Sequence, residues 1–502
     1  MPPSPSPPLP TADPGAAARI RAVLDAAGYT SAGIDALVGA DLTALGQRAV
    51  PVVVQRTASG TPLDTLVRLF QAGVAVSRAA ADDALQGDTE HWARWGLLQL
   101  DPAAGTGATV RATVQLGCHG DLVVATDWGP SRPNVATPAD YVMGFSPSTL
   151  TLARLTVRAQ SRATLDLGTG CGLQALLAAE HSDRVVATDV NPRAVRFAAF
   201  NAALNNRSST IDCRQGDLLQ PLRGGEVFDS IVSNPPFVMG PDTTHMFMSG
   251  ARQDENVCRR IAREAPRHLS DGGWCQFLAN WAVRAGEDWR EHLHTWFAGN
   301  GCDVWVIRRE RQPVDEYAAL WIETDSDDHA EYARRFDAWM RWYDERGIAA
   351  IDYGLVTMRK RDDGAATGRI RCDDVRGGWD DAGGDEIAAA FHRHDWLDAT
   401  DDAALLQARL RCAETARLRR ELVAVGGEWV PVAARLHVEG GIDGEGGIDP
   451  HGERIVAACA GETPLSALLA DLAARLGTDL SALAPDVLRA VRRLVERGAL
   501  LP

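Results

Sequence analysis

The chain has 502 residues, 45% of them hydrophobic, and a formal net charge of −16. This length suits about two to four packed domains rather than one. The acidic balance argues against non-specific nucleic-acid binding by the whole chain, because phosphate neutralisation needs a basic surface. No run of roughly 20 apolar residues is present to span a membrane, so we expect a globular protein without a membrane partner.

The cysteines give no sign of a disulfide framework. They are odd in number, widely scattered and never form a CxxC pair, which also argues against structural zinc. A reducing compartment fits this usage, so we expect a cytoplasmic protein. The nine are Cys118, Cys171, Cys213, Cys258, Cys275, Cys302, Cys372, Cys412 and Cys459.

The N-terminal part starts with a proline-rich stretch, residues 1–13, which we interpret as a disordered tail. Residues 14–131 then show amphipathic helical patterns such as PLDTLVRLFQAGVAVSRAAADDAL, followed by two alternating strand patterns in VRATVQLGCHGDLVVATDW. Helices followed by a hairpin predict a small α+β module, for which a winged-helix-like arrangement is a candidate.

Residues 132–362 alternate short apolar runs with helical stretches, the signature of a parallel sheet wrapped by helices. A Gly/Asp/Arg-rich stretch at 363–385 predicts a linker or long loop. Residues 386–502 read as a second α+β module, with a hairpin turning at Gly426-Gly427. Near its start, FHRHD lacks a further paired ligand, so we interpret it as a surface cluster and expect no metal site.

The strongest chemical signal is the stretch ATLDLGTGCGLQALLAA. An apolar strand ends at Asp166, and a turn containing Gly168, Gly170 and Gly172 leads into a helix. Glycines let the backbone adopt dihedrals that side chains forbid, and let a ligand lie against the main chain. The order is G-x-G-x-G, with Leu173 where a dinucleotide fingerprint has its third glycine, so a nicotinamide or flavin cofactor is disfavoured. Tight packing without a ligand is the alternative interpretation of such a turn.

Two acidic residues and a proline corner follow the next three strand patterns. RVVATDV ends at Asp189, where a carboxylate can accept both hydroxyls of a ribose, and IDCRQGDLL places Asp217 at the end of the third strand. The fourth pattern, FDSIVSN, runs into SNPPF. These positions lie at the carboxyl ends of successive strands, the face at which open α/β sheets bind ligands.

In this order and spacing, DLGTGCG, ATDVNPRAVRFAAFNAALNN, GDLL and SNPPF resemble the class I S-adenosylmethionine-dependent methyltransferases. Within them they resemble the amino-methylating branch marked by (N/D)PP(Y/F/W), in particular the release-factor glutamine methyltransferases and the small-domain ribosomal RNA guanine methyltransferases. The resemblance covers about residues 140–362 and implies an α/β fold with a seven-stranded, doubly wound, Rossmann-like sheet. GGWCQFLANW, CDVWVIRRERQ and AAIDYGLVTMRKR match its last three strands, with an inserted helix containing FDAWMRWYDERG before the seventh.

The resemblance also implies where S-adenosylmethionine would bind. The glycine turn would meet its methionine part, Asp189 its ribose and Asp217 its adenine, while Asp166 would orient the loop or the cofactor amino group. The segment DYVMGFSPST lies where such enzymes have a loop that closes over the cofactor. The implied cofactor-binding set is Asp166, Gly168, Thr169, Gly170, Gly172, Asp189, Val190, Asp217, Leu218 and Asn234.

The implied catalytic set is Asn234, Pro235, Pro236 and Phe237. If the side-chain oxygen of Asn234 and the carbonyl of Pro235 each accept an N–H of a planar nitrogen, its lone pair is aimed at the sulfonium methyl group. Prolines fix the carbonyl direction, and Phe237 offers a face on which a flat group can stack. No general base is required, because the proton can leave after methyl transfer.

The acceptor of the methyl group stays open. A protein glutamine amide is favoured by the acidic charge and by the match at TDVNP. The amine of a structured RNA base, and hence nucleic-acid binding, is favoured by the candidate winged-helix modules and by the arginines of the last helix, Arg489, Arg492 and Arg493. A small-molecule natural product and a non-catalytic regulatory protein that binds S-adenosylmethionine are the alternatives. The oligomeric state is not predicted.

Overall fold

The computed structural model describes residues 9–11, 13–39, 49–101, 107–129, 140–241, 251–252, 255–322, 329–365, 367–375, 382–442 and 446–502. The chain divides into two compact units. The first comprises residues 1–153, 159–306 and 310–372, and the second comprises 154–158, 307–309 and 373–502. Most of the predicted disordered tail lies outside the described residues. Within it, Pro10 is buried and the Thr11 amide donates to the Trp95 carbonyl over 3.0 Å, so this part of the tail is packed.

The first unit opens with a module of short helices and antiparallel strands. Strands β1, β2 and β3 form one sheet in the order β1-β3-β2, while β4 and β5 form a separate hairpin. The elements are α1 (Pro14–Ala26), α2 (Ser31–Val38), α3 (Val50–Arg56), α4 (Pro62–Phe70), β1 (Val76–Ser77), α5 (Arg78–Ala84), α6 (Thr89–Arg94), β2 (Leu98–Asp101), β3 (Thr109–Ala112), β4 (Gln115–His119) and β5 (Leu122–Thr126). The predicted hairpin is β4–β5. The Tyr29 hydroxyl and the Gln71 side chain of this module donate to the Leu116 carbonyl in β4, and β5 packs on the helix Pro192–Leu204 of the central domain.

The central domain follows as alternating strands and helices, most of whose residues belong to the same unit. Its elements are α7 (Pro147–Leu155), β6 (Ser161–Leu167), α8 (Leu173–Ala178), β7 (Ser182–Asp189), α9 (Pro192–Leu204), β8 (Ile211–Gln215), β9 (Phe228–Ser233), β10 (Ala251–Arg252), β11 (Glu255–Asn256), α10 (Val257–Glu264), a 3₁₀ helix (Ala265–His268), β12 (Leu269–Arg284), α11 (Trp289–Phe297), β13 (Cys302–Pro313), α12 (Val314–Trp321), α13 (His329–Glu345), β14 (Ile348–Lys360) and β15 (Ile370–Asp374).

The central sheet is mixed but mostly parallel. Its strand order is β15-β13-β14-β12-β9-β6-β7-β8. The pairs β6–β7, β7–β8, β6–β9 and β9–β12 are parallel, whereas β12–β14 is antiparallel. In β7, Val185 and Ala187 belong to one hydrophobic core and Val186 to another, so the sheet is covered on both faces. The predicted doubly wound α/β sheet is confirmed.

All seven predicted strands are present, and the sheet has an eighth. Strand β15 lies inside the stretch predicted as a linker, so that part of the prediction is wrong. Its side chains are only half-buried and four of its five residues are polar or cysteine, because it is an edge strand with little core to cover. Such a strand lacks the apolar alternation by which strands are recognised in a sequence.

The second unit is a smaller α+β structure. The predicted hairpin at Gly426-Gly427 is confirmed, with φ of 60° and 90° at the two turn glycines, values that favour glycine. Leu469, Val491 and Val495 form part of its core. The elements are α14 (Gly384–Ala399), α15 (Asp402–Gln407), β16 (Arg411–Cys412), β17 (Ala416–Val425), β18 (Glu428–Val438), β19 (Gly446–Gly447), α16 (Pro450–Ala458), α17 (Leu465–Leu476), α18 (Leu480–Glu496) and β20 (Leu500–Leu501).

Two features that would indicate particular function classes are missing from the described residues. No helix among them combines the length and apolarity needed to cross a bilayer. They also hold no group of three or more His, Cys, Asp or Glu side chains that could bind a metal ion. His392 and His394 lie within helix α14, where the first is exposed and the second half-buried.

Candidate active site

The glycine turn joins β6 to α8 with three left-handed residues. Gly168, Gly170 and Gly172 have φ of 70°, 55° and 87°. A Cβ atom added to Gly172 would lie 3.1 Å from Ala198 of α9, whereas one added to Gly168 or Gly170 would meet no described atom within 4 Å. Gly172 therefore permits close packing of two helices, and the other two glycines leave open space beside the backbone.

Asp166 fixes the turn from below. It is 1% exposed. One of its carboxylate oxygens accepts hydrogen bonds from the Thr169 hydroxyl at 2.6 Å and from the Ala175 amide in α8 at 3.0 Å. Burial raises the pKa of Asp166 to about 7, against the lowering effect of these two donors. The side chain thus holds the loop to the first turn of α8, which is one of the two roles the sequence suggests.

The raised pKa of Asp166 predicts a pH-dependent stability. Between its ordinary pKa of 3.8 and about 7, the unfolded chain loses the proton that the folded protein keeps. Stability therefore falls as the pH rises through this window, by up to about 1.4 kcal/mol per pH unit, and the loss is complete above it. We expect Asp166→Asn, which cannot titrate, to lack this decline in urea denaturation measured from roughly pH 5 to pH 8. Parallel pH curves for variant and parent would contradict the assignment.

Asp189 is the last residue of the next strand, β7. The Asp189 carboxylate accepts the Gly170 amide and the Asn191 amide, both at 2.9 Å, and burial raises its pKa. It is therefore tied directly to the glycine turn, with a further lone pair left on each oxygen. Val190, beside it, is 52% exposed.

The end of β8 reaches the same edge of the sheet. Asp217 lies two residues beyond the strand and accepts a hydrogen bond from the Arg260 guanidinium at 3.0 Å. Leu218 has a left-handed φ of 48°, and its carbonyl accepts the Thr188 hydroxyl at 3.1 Å. The structure thus brings the predicted residues of three strand ends together, and adds an arginine partner for Asp217 that the sequence pattern does not show.

The proline corner follows β9 beside the end of β6. The Ser233 hydroxyl donates to the Leu167 carbonyl at 2.7 Å, which fixes the start of the corner next to the glycine turn. The Asn234 side-chain nitrogen lies 3.3 Å from both the Ser148 and the Thr149 hydroxyls. Its side-chain oxygen is buried and has no hydrogen-bond partner among the described residues. An unsatisfied buried acceptor costs free energy and calls for an explanation.

Phe237 and the residues after it are held by neighbouring aromatic groups. The ring of Phe237 is half-buried, with its centroid 5.8 Å from that of Tyr353. The Met239 amide donates to the Tyr317 hydroxyl at 3.2 Å, and the Tyr343 hydroxyl donates to the Met239 carbonyl at 2.7 Å. Helices α12 and α13, which carry these tyrosines, therefore fix the chain directly beyond the corner.

Sequence reasoning missed an ion pair that anchors the predicted cofactor loop. Asp127 and Arg193 are 4% and 3% exposed at their side chains, and the Arg193 Nε donates to Asp127 at 2.8 Å. The same carboxylate accepts the Val142 amide at 2.9 Å, and the Asn191 side chain donates to the Asp140 carbonyl at 2.9 Å. The segment from Asp140 is thus attached both to the N-terminal module and to α9.

Asn201 of α9 and Asn205, the C-cap residue of that helix, hold the β5 strand. The Asn201 side chain bonds both the amide and the carbonyl of Ala125, at 2.8 and 2.9 Å. Asn205 does the same for Val123, at 3.0 and 2.7 Å. One signal could have found them, since two asparagines four residues apart lie on a helix face that also carries Phe197 and Leu204.

The glycine turn after the first central strand, the acidic strand ends and the mostly parallel sheet define a doubly wound, Rossmann-like fold. Residues 146–297 match the family model described as methyltransferase small domain. Residues 26–113 and 388–502 match two further models, each described as a domain of unknown function.

Curated relatives match the same region. The chain is 30% identical over 177 residues to a release factor glutamine methyltransferase of Koribacter versatilis, covering 33% of this chain and 61% of that protein. It is 33% identical over 183 residues to the release factor glutamine methyltransferase of Vibrio cholerae, covering 29% and 62%. It is 36% identical over 122 residues to the ribosomal protein uL3 glutamine methyltransferase of Bradyrhizobium diazoefficiens, covering 22% and 38%. The chain spans less than two thirds of the length of each.

Among solved structures, the YcgJ protein from Bacillus subtilis is 16% identical, with 42% of this chain and 97% of that chain covered. Its TM-score of 0.29 is too low to carry an argument about this molecule.

Proposed function

We propose that this protein is an S-adenosylmethionine-dependent N-methyltransferase whose acceptor is the side-chain amide of a glutamine in another protein. The observation that carries the proposal is the buried, unpartnered oxygen of Asn234, which lies at a rigid proline corner beside the open glycine turn. A hydrogen-bond acceptor without a donor, next to a cradle for a ligand, suits a substrate that brings its own N–H group.

The residues at the sheet edge suit S-adenosylmethionine. The open space beside the backbone of Gly168 and Gly170 leaves room for a bulky ligand. The Asp189 carboxylate keeps lone pairs for the hydroxyls of a ribose. Asp166 and Thr169 would hold the loop in shape, and Val190, Asp217 and Leu218 would line the nucleoside side. When bound, the cofactor would supply an electrophilic methyl group on a sulfonium.

The corner suits a primary amide. A glutamine amide has two N–H bonds, and the Asn234 side-chain oxygen and the Pro235 carbonyl offer two acceptors on adjacent residues. With both bonds made, the amide nitrogen is held in place and its lone pair is directed out of the amide plane. Pro235 and Pro236 stiffen the backbone that carries these acceptors, and Phe237 offers an aromatic face to the flat group. The nitrogen loses a proton after it is methylated.

Three further observations support a protein acceptor in the cytoplasm. The relatives that match the domain are named as glutamine methyltransferases of release factors and of ribosomal protein uL3. The net charge of −16 disfavours a polyanionic acceptor such as RNA. None of the nine cysteines forms a disulfide in the described part of the chain, which suits a reducing compartment.

The proposal is tested by transfer of tritiated methyl from S-adenosylmethionine. The acceptors are purified release factors and ribosomal protein uL3 from a strain that lacks the gene, and an extract of that strain. We expect label that survives RNase, is lost with protease and maps to a glutamine by mass spectrometry. Label that is lost with RNase would replace the glutamine by an RNA base. Label confined to small molecules, or no label at all, would contradict the proposal.

A further inference from the structure

We propose that the hydroxyl groups of Ser148 and Thr149 are positioning residues, which hold the Asn234 amide so that its oxygen, rather than its nitrogen, faces the acceptor. The inference rests on the proposed function of the corner. It assigns a task to the first turn of α7 that neither the glycine turn nor the proline corner explains.

The orientation of Asn234 needs a cause. The two ends of an asparagine amide have nearly the same size, so packing alone does not distinguish them, and only the hydrogen-bond partners decide which end points where. A nitrogen facing the acceptor would present two N–H donors to the N–H donors of the incoming amide. The corner could then hold no acceptor nitrogen.

The orientation follows from the number of protons and lone pairs in the hydroxyl cluster of Ser146, Ser148 and Thr149. Ser146 Oγ accepts the Thr149 amide at 3.1 Å and lies 2.8 Å from both the Ser148 and the Thr149 hydroxyl oxygens. A hydroxyl oxygen has two lone pairs and one proton. Since one lone pair is taken by the amide, Ser146 can accept from only one of the two hydroxyls and must donate to the other.

One of the two hydroxyls therefore donates its hydrogen bond to Ser146. Toward Asn234 this hydroxyl can act only as an acceptor. Both hydroxyls contact the same atom of Asn234, at 3.3 Å each. An amide nitrogen at that position can donate to both, whereas an amide oxygen could form a hydrogen bond with at most one. The cluster thus favours the nitrogen on its side and turns the oxygen to the substrate side.

The cluster is held in register with the glycine turn. The Gln174 side chain, in the first turn of α8 and only 6% exposed, donates to the Thr149 carbonyl at 2.9 Å. Asn234 is therefore aligned by a helix end that is itself tied to the helix starting at Gly172. This arrangement lets the corner keep one amide orientation before the acceptor arrives, which is the preorganisation that catalysis requires.

The test is the double variant S148A/T149V, which removes both hydroxyls and keeps the side-chain volumes close to the original. The probe is tritiated methyl transfer to the protease-sensitive fraction of the extract that the parent enzyme labels. We expect kcat to fall by about 10- to 100-fold with little change in KM. The Kd for S-adenosylmethionine by calorimetry and the Tm should stay close to those of the parent, because the Ser146 cap and the Gln174 bond remain. The conservative pair S148T/T149S, which retains both hydroxyls, should keep most of the turnover.

A cycle with Asn234 separates positioning from a general structural role. If the hydroxyls act through Asn234, the double variant should cause no further loss in an N234A background. An additive loss, a drop in cofactor affinity or Tm that accompanies the drop in kcat, or full activity of S148A/T149V would overturn the inference. Absence of any transfer by the parent enzyme would instead contradict the proposed function.

Discussion

Asn234→Ala is expected to lower methyl transfer by roughly 100- to 1,000-fold, the range measured when one preorganised polar group is removed from an active site. The substitution deletes the buried oxygen that lacks a partner, so the acceptor nitrogen would be held by the Pro235 carbonyl alone. The loss should be in kcat, because the group matters for the alignment of the reacting nitrogen. Affinity for S-adenosylmethionine should be retained, since the glycine turn and Asp189 are unchanged.

The measurement is turnover with the labelled acceptor alongside calorimetric titration of the cofactor. Gln407→Ala, which removes an exposed amide from the second unit, is the matched control and should change neither. Undiminished transfer by N234A would show that the corner does not align the acceptor. Loss of cofactor binding would show that Asn234 belongs to the cofactor site instead.

Asp127→Ala is expected to lower the free energy of unfolding by about 3–5 kcal/mol, because it leaves the Arg193 guanidinium buried without its charge partner. The Val142 amide loses its acceptor in the same change, so the segment from Asp140 should loosen and the affinity for S-adenosylmethionine should fall as well. This couples a residue of the N-terminal module to the proposed cofactor site of the central domain.

Chemical denaturation of the Asp127→Ala variant and of the parent protein provides the test. Asp101→Ala is the control, since it breaks an ion pair whose partners are 51% and 37% exposed and should cost less than about 1 kcal/mol. Replacing both charged residues by apolar ones, in the double variant Asp127→Leu/Arg193→Met, should restore part of the stability. An effect of Asp127→Ala no larger than that of the control would contradict the assignment of this pair as a buried anchor.

The sequence predicts the central sheet and the edge that carries the candidate site because their signals are local. The strands β6, β7 and β9 each contain short apolar stretches that are buried, and a glycine turn directly follows β6 while a proline corner follows β9. Residues at the carboxyl ends of neighbouring parallel strands must meet, so the proximity of the Gly170 amide and Asp189 follows from topology alone. The roles of these residues toward a ligand stay predictions.

What the sequence does not predict is mostly long-range and polar. Asp127 and Arg193 are far apart in the chain, as are Ser148 and Asn234, and no local pattern marks either pair. Their pairing depends on how the N-terminal module and α7 pack on the sheet. Strand β15 was missed for a different reason. It pairs with β13 through its backbone, which needs no apolar side chains, so no apolar pattern marks it in the sequence.

The hydrogen bonds from Asn201 and Asn205 to β5 can form only late in biosynthesis. The backbone of β5 leaves the ribosome before its partners, since Ala125 and Asn201 are separated by 76 positions and Val123 and Asn205 by 82. At a synthesis rate of about 5–20 residues per second, the wait is on the order of 4–16 seconds. During that time the nascent hairpin exposes an open strand edge, the kind of edge that pairs readily with other chains. Folding of the N-terminal module is therefore completed by a helix of the central domain.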